Sequence, residues 1–200
     1  MEQKILILLG SPRRNGNTAI LANQVVKGAK LGGAVVEVIY LNGKKIKPCQ
    51  ACDKCQKEDA KGCVINDDMQ PIYPKFIAAD SVVITTPIYF CNVSAQIKLF
   101  MDRLYCISLT FEQKKIIAGK NLAFILTYEA QDPFLAGAVN AILSFQNFCD
   151  IILAGTKVML YGQADKAGEI KNNKDLMEKA FLLGKKLSIT PKITTSTKLD

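Results

Sequence analysis

The sequence predicts an α/β fold in which an open parallel sheet carries helices on both faces. Short apolar runs alternate with longer segments of helical spacing, and right-handed crossovers then leave few topologies. The first run, Lys4 to Leu9 (KILILL), is almost unbroken hydrophobe, as a strand covered on both faces should be. Composition agrees: 200 residues, 49% hydrophobic and 22% charged, are ordinary for one globular domain. That domain is expected to span 1–187, with 188–200 as a polar, Thr- and Lys-rich tail.

The elements follow in chain order. After Lys4 to Leu9 comes the turn-forming stretch GSPRRNGNT, then a helix whose Thr18, Ile20, Leu21, Val25 and Val26 share a face. Gly32 and Gly33 stop it. Val35 to Tyr40 is the second strand, more amphipathic and nearer an edge. Ser81 to Thr86 is the third, its β-branched residues suiting a central place. Val93 to Tyr105 reads as a helix, Leu122 to Thr127 as the fourth strand, Ala136 to Cys149 as a helix and Thr156 to Tyr161 as the fifth strand. Asn173 to Leu187 closes as a helix, which Pro191 cannot let continue. One interval breaks the rhythm. Residues 41–68 form a long polar insertion holding Cys49, Cys52, Cys55 and Cys63, four of the chain's seven cysteines.

Several function classes are excluded or disfavoured at once. There is no histidine, which removes Ser-His-Asp and Cys-His machinery, imidazole acid–base chemistry and histidine-ligated metals. The net charge of +8 comes almost wholly from lysine and favours anionic ligands. Its even spread, with no basic run or RNA-binding motif, argues against nucleic acid. No apolar run is long enough to span a membrane, and no cleavage-like leader is visible, so a cytoplasmic location is expected.

The loop after the first strand carries the clearest chemical signal. Between a buried strand and a helix, unpaired backbone N–H groups and the positive helix end can hold an anion. Ser11 and Thr18 offer hydroxyls, Asn17 an amide and Arg13 a guanidinium, while Gly10 and Gly16 permit a close turn. The loop is neither a Walker sequence nor the G-x-G-x-x-G dinucleotide fingerprint. As a plain reading, the same residues could be a solvated helix-capping turn. After the third strand, Pro87 stiffens the exit, and Tyr89 or Phe90 can wall or stack on a flat heterocycle. Lys98 and Asp102, one helical turn apart, read as a routine ion pair, and Arg103 as an anchor for its helix or the neighbouring loop.

GSPRRNGNT after the first strand, TPIYF after the third and the KLFMDR helix together resemble the NADPH-dependent FMN reductase family. The likeness covers Lys4 to Arg103, with weaker agreement through Leu187. It implies a flavodoxin-like three-layer sandwich with five parallel strands in the order 2-1-3-4-5, and FMN held without a covalent bond. It further implies that Ser11, Arg13, Gly16, Asn17 and Thr18 hold the FMN phosphate, and that Pro87, Ile88, Tyr89 and Phe90 run along the isoalloxazine ring. Thr127, after the fourth strand, would stand on the same carboxyl edge.

Cys49, Cys52, Cys55 and Cys63 form C-x2-C-x2-C-x7-C, a compact spacing typical of iron–sulfur ligation. Four thiolates could also bind zinc, or stay free. The segment resembles the iron-sulfur flavoproteins, which implies a [4Fe-4S] cluster on these four cysteines beside FMN; its seven-residue last gap is at the long end for that motif. Cys91, Cys106 and Cys149 are expected to be buried thiols. The function expected is that of an FMN-containing redox protein with chemistry on the flavin rather than on a protein nucleophile. The cluster would favour single-electron exchange with a partner such as ferredoxin. Without it the chain would be an NAD(P)H-dependent FMN or quinone reductase, or a non-enzymatic FMN-binding module. The resemblance also implies a homodimer or tetramer.

Overall fold

The structure, a computed structural model, describes residues 2–108 and 116–191. In chain order the elements are β1 (Lys4–Leu9), α1 (Asn17–Leu31), β2 (Val35–Tyr40), α2 (Ile72–Ala78), β3 (Ser81–Tyr89), β4 (Asn92–Val93), α3 (Ala95–Arg103), β5 (Asn121–Tyr128), α4 (Ala138–Ile151), β6 (Lys157–Gln163) and α5 (Lys174–Ile189). Five strands pair in parallel in the order β2-β1-β3-β5-β6, and β4 folds back antiparallel on the end of β3. This is the flavodoxin-like order. Every parallel strand ends at one edge, which gathers the loops after β1, β2, β3, β5 and β6.

Alternation along each strand feeds two separate cores. Leu6, Leu8, Val82, Ile84, Leu122 and Phe124 pack under α2, α3 and α4, where Phe124 stacks on Phe145 with centroids 4.4 Å apart. Ile5, Ile7, Val83, Ala123 and Ile125 face the other way, against Leu21 and Val25 of α1 and Ala180 and Leu183 of α5. Both faces are therefore dry, which explains the unbroken apolar run of β1. Among the described residues no helix is long and apolar enough to cross a membrane.

α1 and α5 cross at unusually short range. A Cβ on Gly28 would lie 2.0 Å from the Phe181 carbonyl oxygen, and one on Gly184 would lie 2.1 Å from that of Val25. Each helix thus presents a glycine to the other's backbone. Gly184→Val is expected to force the helices apart and cost about 1–3 kcal/mol, read as a lower urea midpoint; an unchanged midpoint would refute this close packing.

The structure extends or corrects several expectations. β3 runs on to Tyr89 because Pro87 pairs with Thr127 of β5, and Ile88 and Tyr89 pair with Val93 and Asn92 of β4. Val93, expected to open the next helix, instead closes β4, and the helix begins at Ala95 after Ser94. α2, at the end of the interval after β2, was not predicted: its Ile72, Tyr73 and Phe76 are buried, but it is only seven residues long. Cys106 and Cys149 are buried as expected, and burial pushes the Cys149 thiol up to about 12. Cys91 is exposed, contrary to expectation, because it sits at the β3–β4 hairpin tip, outside both cores. α5 continues to Ile189, two residues into the expected tail, and 192–200 lie outside the described residues.

Candidate functional site

The loop after β1 turns tightly into α1. Gly16 takes the N-cap position with no side-chain cap, and the first turn of the helix holds no acidic residue. The helix end therefore keeps its positive character and its unpaired N–H groups. Within this turn the Arg13 N–H donates to Ser11 Oγ at 3.1 Å. The two adjacent arginines separate. Arg14 lies over the Tyr40 ring, 4.7 Å from its centroid, and Tyr40 donates to the Pro12 carbonyl at 2.5 Å, whereas Arg13 lines a cleft at the sheet edge.

That cleft, about 150 Å³, lies between the β1–α1 turn, the ends of β3 and β5, and the loop after β6. Ser11, Arg13, Gly16, Asn17, Thr18, Pro87, Ile88, Tyr89 and Thr127 all line it. Phe90 does not; it is fully exposed at the hairpin tip and edges a neighbouring cavity with Cys91 and Leu135. The loop after β6, through Ala164, Asp165 and Ala167, was missed in the sequence. Its one available signal was its position after the last strand, on the same carboxyl edge. Tyr128 also lines the cleft, and burial, reinforced by Tyr161 and Asp132, pushes its hydroxyl above its ordinary value and keeps it a donor.

Two residues of the turn have distinct fates. The Asn17 amide donates to the carbonyls of Ala164 (3.3 Å) and Lys166 (3.0 Å) and accepts from the N–H groups of Gly168 (2.8 Å) and Ile170 (3.4 Å). Its side chain pins the β6 loop to α1. Thr18 is 1% exposed, yet its Oγ1 has no hydrogen-bond partner. A buried hydroxyl without a partner is costly, and beside an uncapped helix terminus it fits an anion such as the FMN phosphate.

The hairpin between β3 and β4 turns on Phe90 and Cys91 alone, both with left-handed backbone (φ 45 and 68). Such two-residue turns normally take Asn-Gly. Gly137, at the start of α4, lets the tip seat: a Cβ there would lie 2.4 Å from the Cys91 Cβ. Phe90→Asn combined with Cys91→Gly is expected to raise stability by about 1–2 kcal/mol, measured by urea unfolding; a fall would show the strained turn to be held by other contacts.

The loop after β2 is organised around a buried ion pair. Arg103, at the end of α3, has a fully buried side chain and meets Asp67, whose side chain is 2% exposed, at 2.6 Å. It also donates to the Lys47 carbonyl at 2.9 Å and to Cys63 Sγ at 3.5 Å. Asp67 accepts the backbone N–H groups of Lys47 (2.8 Å) and Met69 (2.9 Å). Burial pushes the Asp67 carboxyl up, but Arg103 and these amides outweigh it and hold it below its usual value.

The four motif cysteines differ in exposure. Cys49 and Cys52 are exposed, while Cys55 and Cys63 are half-buried against the core under α2 and α3. The Cys55 thiol feels Cys63 and Cys52 electrostatically, accepts from Gln56 Nε2 at 3.3 Å, and is pushed up chiefly by burial. Ala51 and Asp53, flanking Cys52, both have left-handed backbone and curl the segment. Cys106 is buried, and its thiol is raised mainly by that burial. Among the described residues no group of three or more acidic or cysteine side chains is already arranged to hold a metal ion, whether zinc or an iron–sulfur cluster.

Comparison with known proteins gives three findings. The pattern of the NADPH-dependent FMN reductase family matches residues 3–163. An iron-sulfur flavoprotein of Methanocaldococcus jannaschii is 36% identical over 116 residues, 58% of this chain and 59% of that protein. One from Archaeoglobus fulgidus is 33% identical over 143 residues, 70% of this chain and 62% of that protein. The chain thus spans about three-fifths of the length of these relatives. Among solved structures, an NAD(P)H:quinone oxidoreductase from Methanothermobacter marburgensis superposes with a TM-score of 0.74 at 15% identity, over 95% of this chain and 99% of that one. At that identity the likeness concerns the fold.

Proposed function

Because the chain belongs to the NADPH-dependent FMN reductase family, we propose that it is an FMN-dependent oxidoreductase that takes reducing equivalents from a nicotinamide donor and passes them to a small acceptor. The observation that carries this reading is the orphaned Thr18 hydroxyl beside an uncapped helix N-terminus, in a cleft lined by Ser11 and Arg13. Thr18, Ser11, Arg13 and the first N–H groups of α1 would hold the phosphate. Pro87, Ile88 and Tyr89 would flank the ring, with Tyr128 as a nearby hydrogen-bond donor. FMN, when bound, supplies hydride and electron transfer, which is why a chain without histidine needs no protein nucleophile. The protein's share is to bind the phosphate, orient the ring and keep one edge of it dry.

The test is an absorbance spectrum of the purified protein, followed by anaerobic turnover with NADPH or NADH and a quinone. One flavin per chain and acceptor-dependent loss of the nicotinamide absorbance are expected. Bound flavin with no turnover of either nicotinamide would overturn the nicotinamide reading and leave a protein electron donor or a binding module.

A second reading is favoured by the cysteine loop. Two of its thiols, those of Cys55 and Cys63, each receive a side-chain N–H, and relatives matching the chain are iron-sulfur flavoproteins. Cys49, Cys52, Cys55 and Cys63 would then hold a [4Fe-4S] cluster, which supplies single-electron exchange, and a protein donor such as ferredoxin would replace the nicotinamide. About four irons and four sulfides per chain after anaerobic purification would support it; flavin alone would leave the nicotinamide reading. A homodimer or tetramer is proposed for either case, checked by light scattering.

A further inference from the structure

We propose that Arg103 is the positioning residue of the cysteine loop: it clamps both stems of the loop to α3 and donates an N–H to Cys63, so that the loop is set before any group is loaded. The proposal rests on the iron–sulfur reading only for its effect at Cys63.

The clamp is read from the partners of one guanidinium. On the incoming stem Arg103 holds the Lys47 carbonyl, two residues before Cys49. On the outgoing stem it holds Asp67 through both terminal nitrogens, at 2.6 and 3.3 Å, and reaches the Ile65 carbonyl and Cys63 Sγ at 3.5 Å. Asp67 then returns across the stems to the Lys47 N–H, and the neighbouring Asp68 accepts the Lys45 N–H at 2.7 Å. A planar fork with fixed donors can bridge so many acceptors at once, whereas an ammonium on a flexible stem cannot.

The same side chain brings its positive charge beside a thiol of the motif. A positive charge next to a ligand sulfur favours the more negative, reduced state of a cluster, through the charge and hydrogen-bond effects that set such potentials. Arg103 also links the loop to the flavin cleft. Its helix begins after Ser94, which donates to the Gly10 carbonyl at 2.8 Å and whose N–H meets Thr86 Oγ1 at 2.9 Å. One rigid helix therefore has its start tied to the phosphate turn and its end tied to the cysteine stems.

The experiment compares wild type with Arg103→Lys, Arg103→Met and the double variant Arg103→Met with Asp67→Leu, all as full-length FMN-loaded protein. The double variant removes both charges, so it folds even where the single change leaves Asp67 buried and alone. In cluster-free protein, hydrogen exchange of the amides of Lys45, Lys47 and Met69 is expected to be at least about tenfold faster in every variant than in wild type, with α1 unchanged. After anaerobic reconstitution with iron and sulfide, the cluster midpoint potential is expected to fall in both Met variants and to stay near wild type in Arg103→Lys, which keeps the charge. Unchanged exchange in a folded variant overturns the clamp. Equal potentials in wild type and the Met variants overturn the role at Cys63. A wild type that takes up no iron overturns the iron–sulfur reading and the Cys63 role together, while the exchange result still decides the clamp.

Discussion

Asp67→Ala is expected to lower folding stability by about 3–5 kcal/mol, because it leaves the Arg103 guanidinium charged, buried and unpaired. The loss should also reach the loop, since the Lys47 and Met69 amides lose their acceptor with the same change. Urea unfolding by circular dichroism measures the first effect. A cost under about 1 kcal/mol, the range of an exposed pair, would mean that water enters the site. The pair also sets an acid limit. Asp67 is held below its usual value in the folded protein, so on acidification the unfolded state takes up the proton first. Its stabilisation is complete above the ordinary aspartate value of about 3.9 and is lost as pH falls through the depressed native value. Wild type should therefore lose stability on acidification below about pH 4, and Asp67→Ala should lack that component.

Thr18→Val is expected to separate flavin binding from folding. Valine keeps the shape of threonine and removes a hydroxyl that is buried without a partner. The flavin-free protein should hold or gain stability, since an unsatisfied buried group costs about 1–3 kcal/mol. FMN affinity should fall by about tenfold or more, the worth of one charge-assisted hydrogen bond. Titration calorimetry and unfolding of the flavin-free protein read the two effects in opposite directions. Unchanged affinity would remove Thr18 from the phosphate site and leave the cleft's function resting on Ser11, Arg13 and the backbone. Asn17→Leu, in contrast, is expected to damage stability as well as binding, because that amide joins α1 to the β6 loop.

How far the sequence reached depends on the range of the interaction that decides each feature. The five parallel strands, the helices other than α2 and the Gly- and Asn-rich turn after β1 were legible, since each is written in a local run of residue types. The cysteine motif was legible for the same reason. Its surroundings were not: Arg103 was expected to anchor something nearby, but no spacing points from it to Asp67, thirty-six residues earlier. The Phe90–Cys91 turn was missed because its residues contradict the usual Asn-Gly preference, and what holds it is tertiary: Cys91 seats on Gly137, and the Asn140 amide donates to the Cys91 carbonyl at 3.1 Å.

By itself, the sequence determined the fold class, the strand order once its resemblance was noticed, and the placing of chemistry-bearing loops at one sheet edge. Apolar periodicity and parallel crossovers suffice for that, because burying a strand on both faces leaves a signature in the strand itself. The tertiary structure alone decided which polar side chains are available to a ligand. Asn17 and Thr18 are neighbours with similar promise in sequence, yet one is saturated by a loop about 150 residues away and the other is left without a partner. Hydrogen-bond capacity is settled by whichever groups the fold brings within about 3 Å, and that distance is not encoded at the residue that needs it.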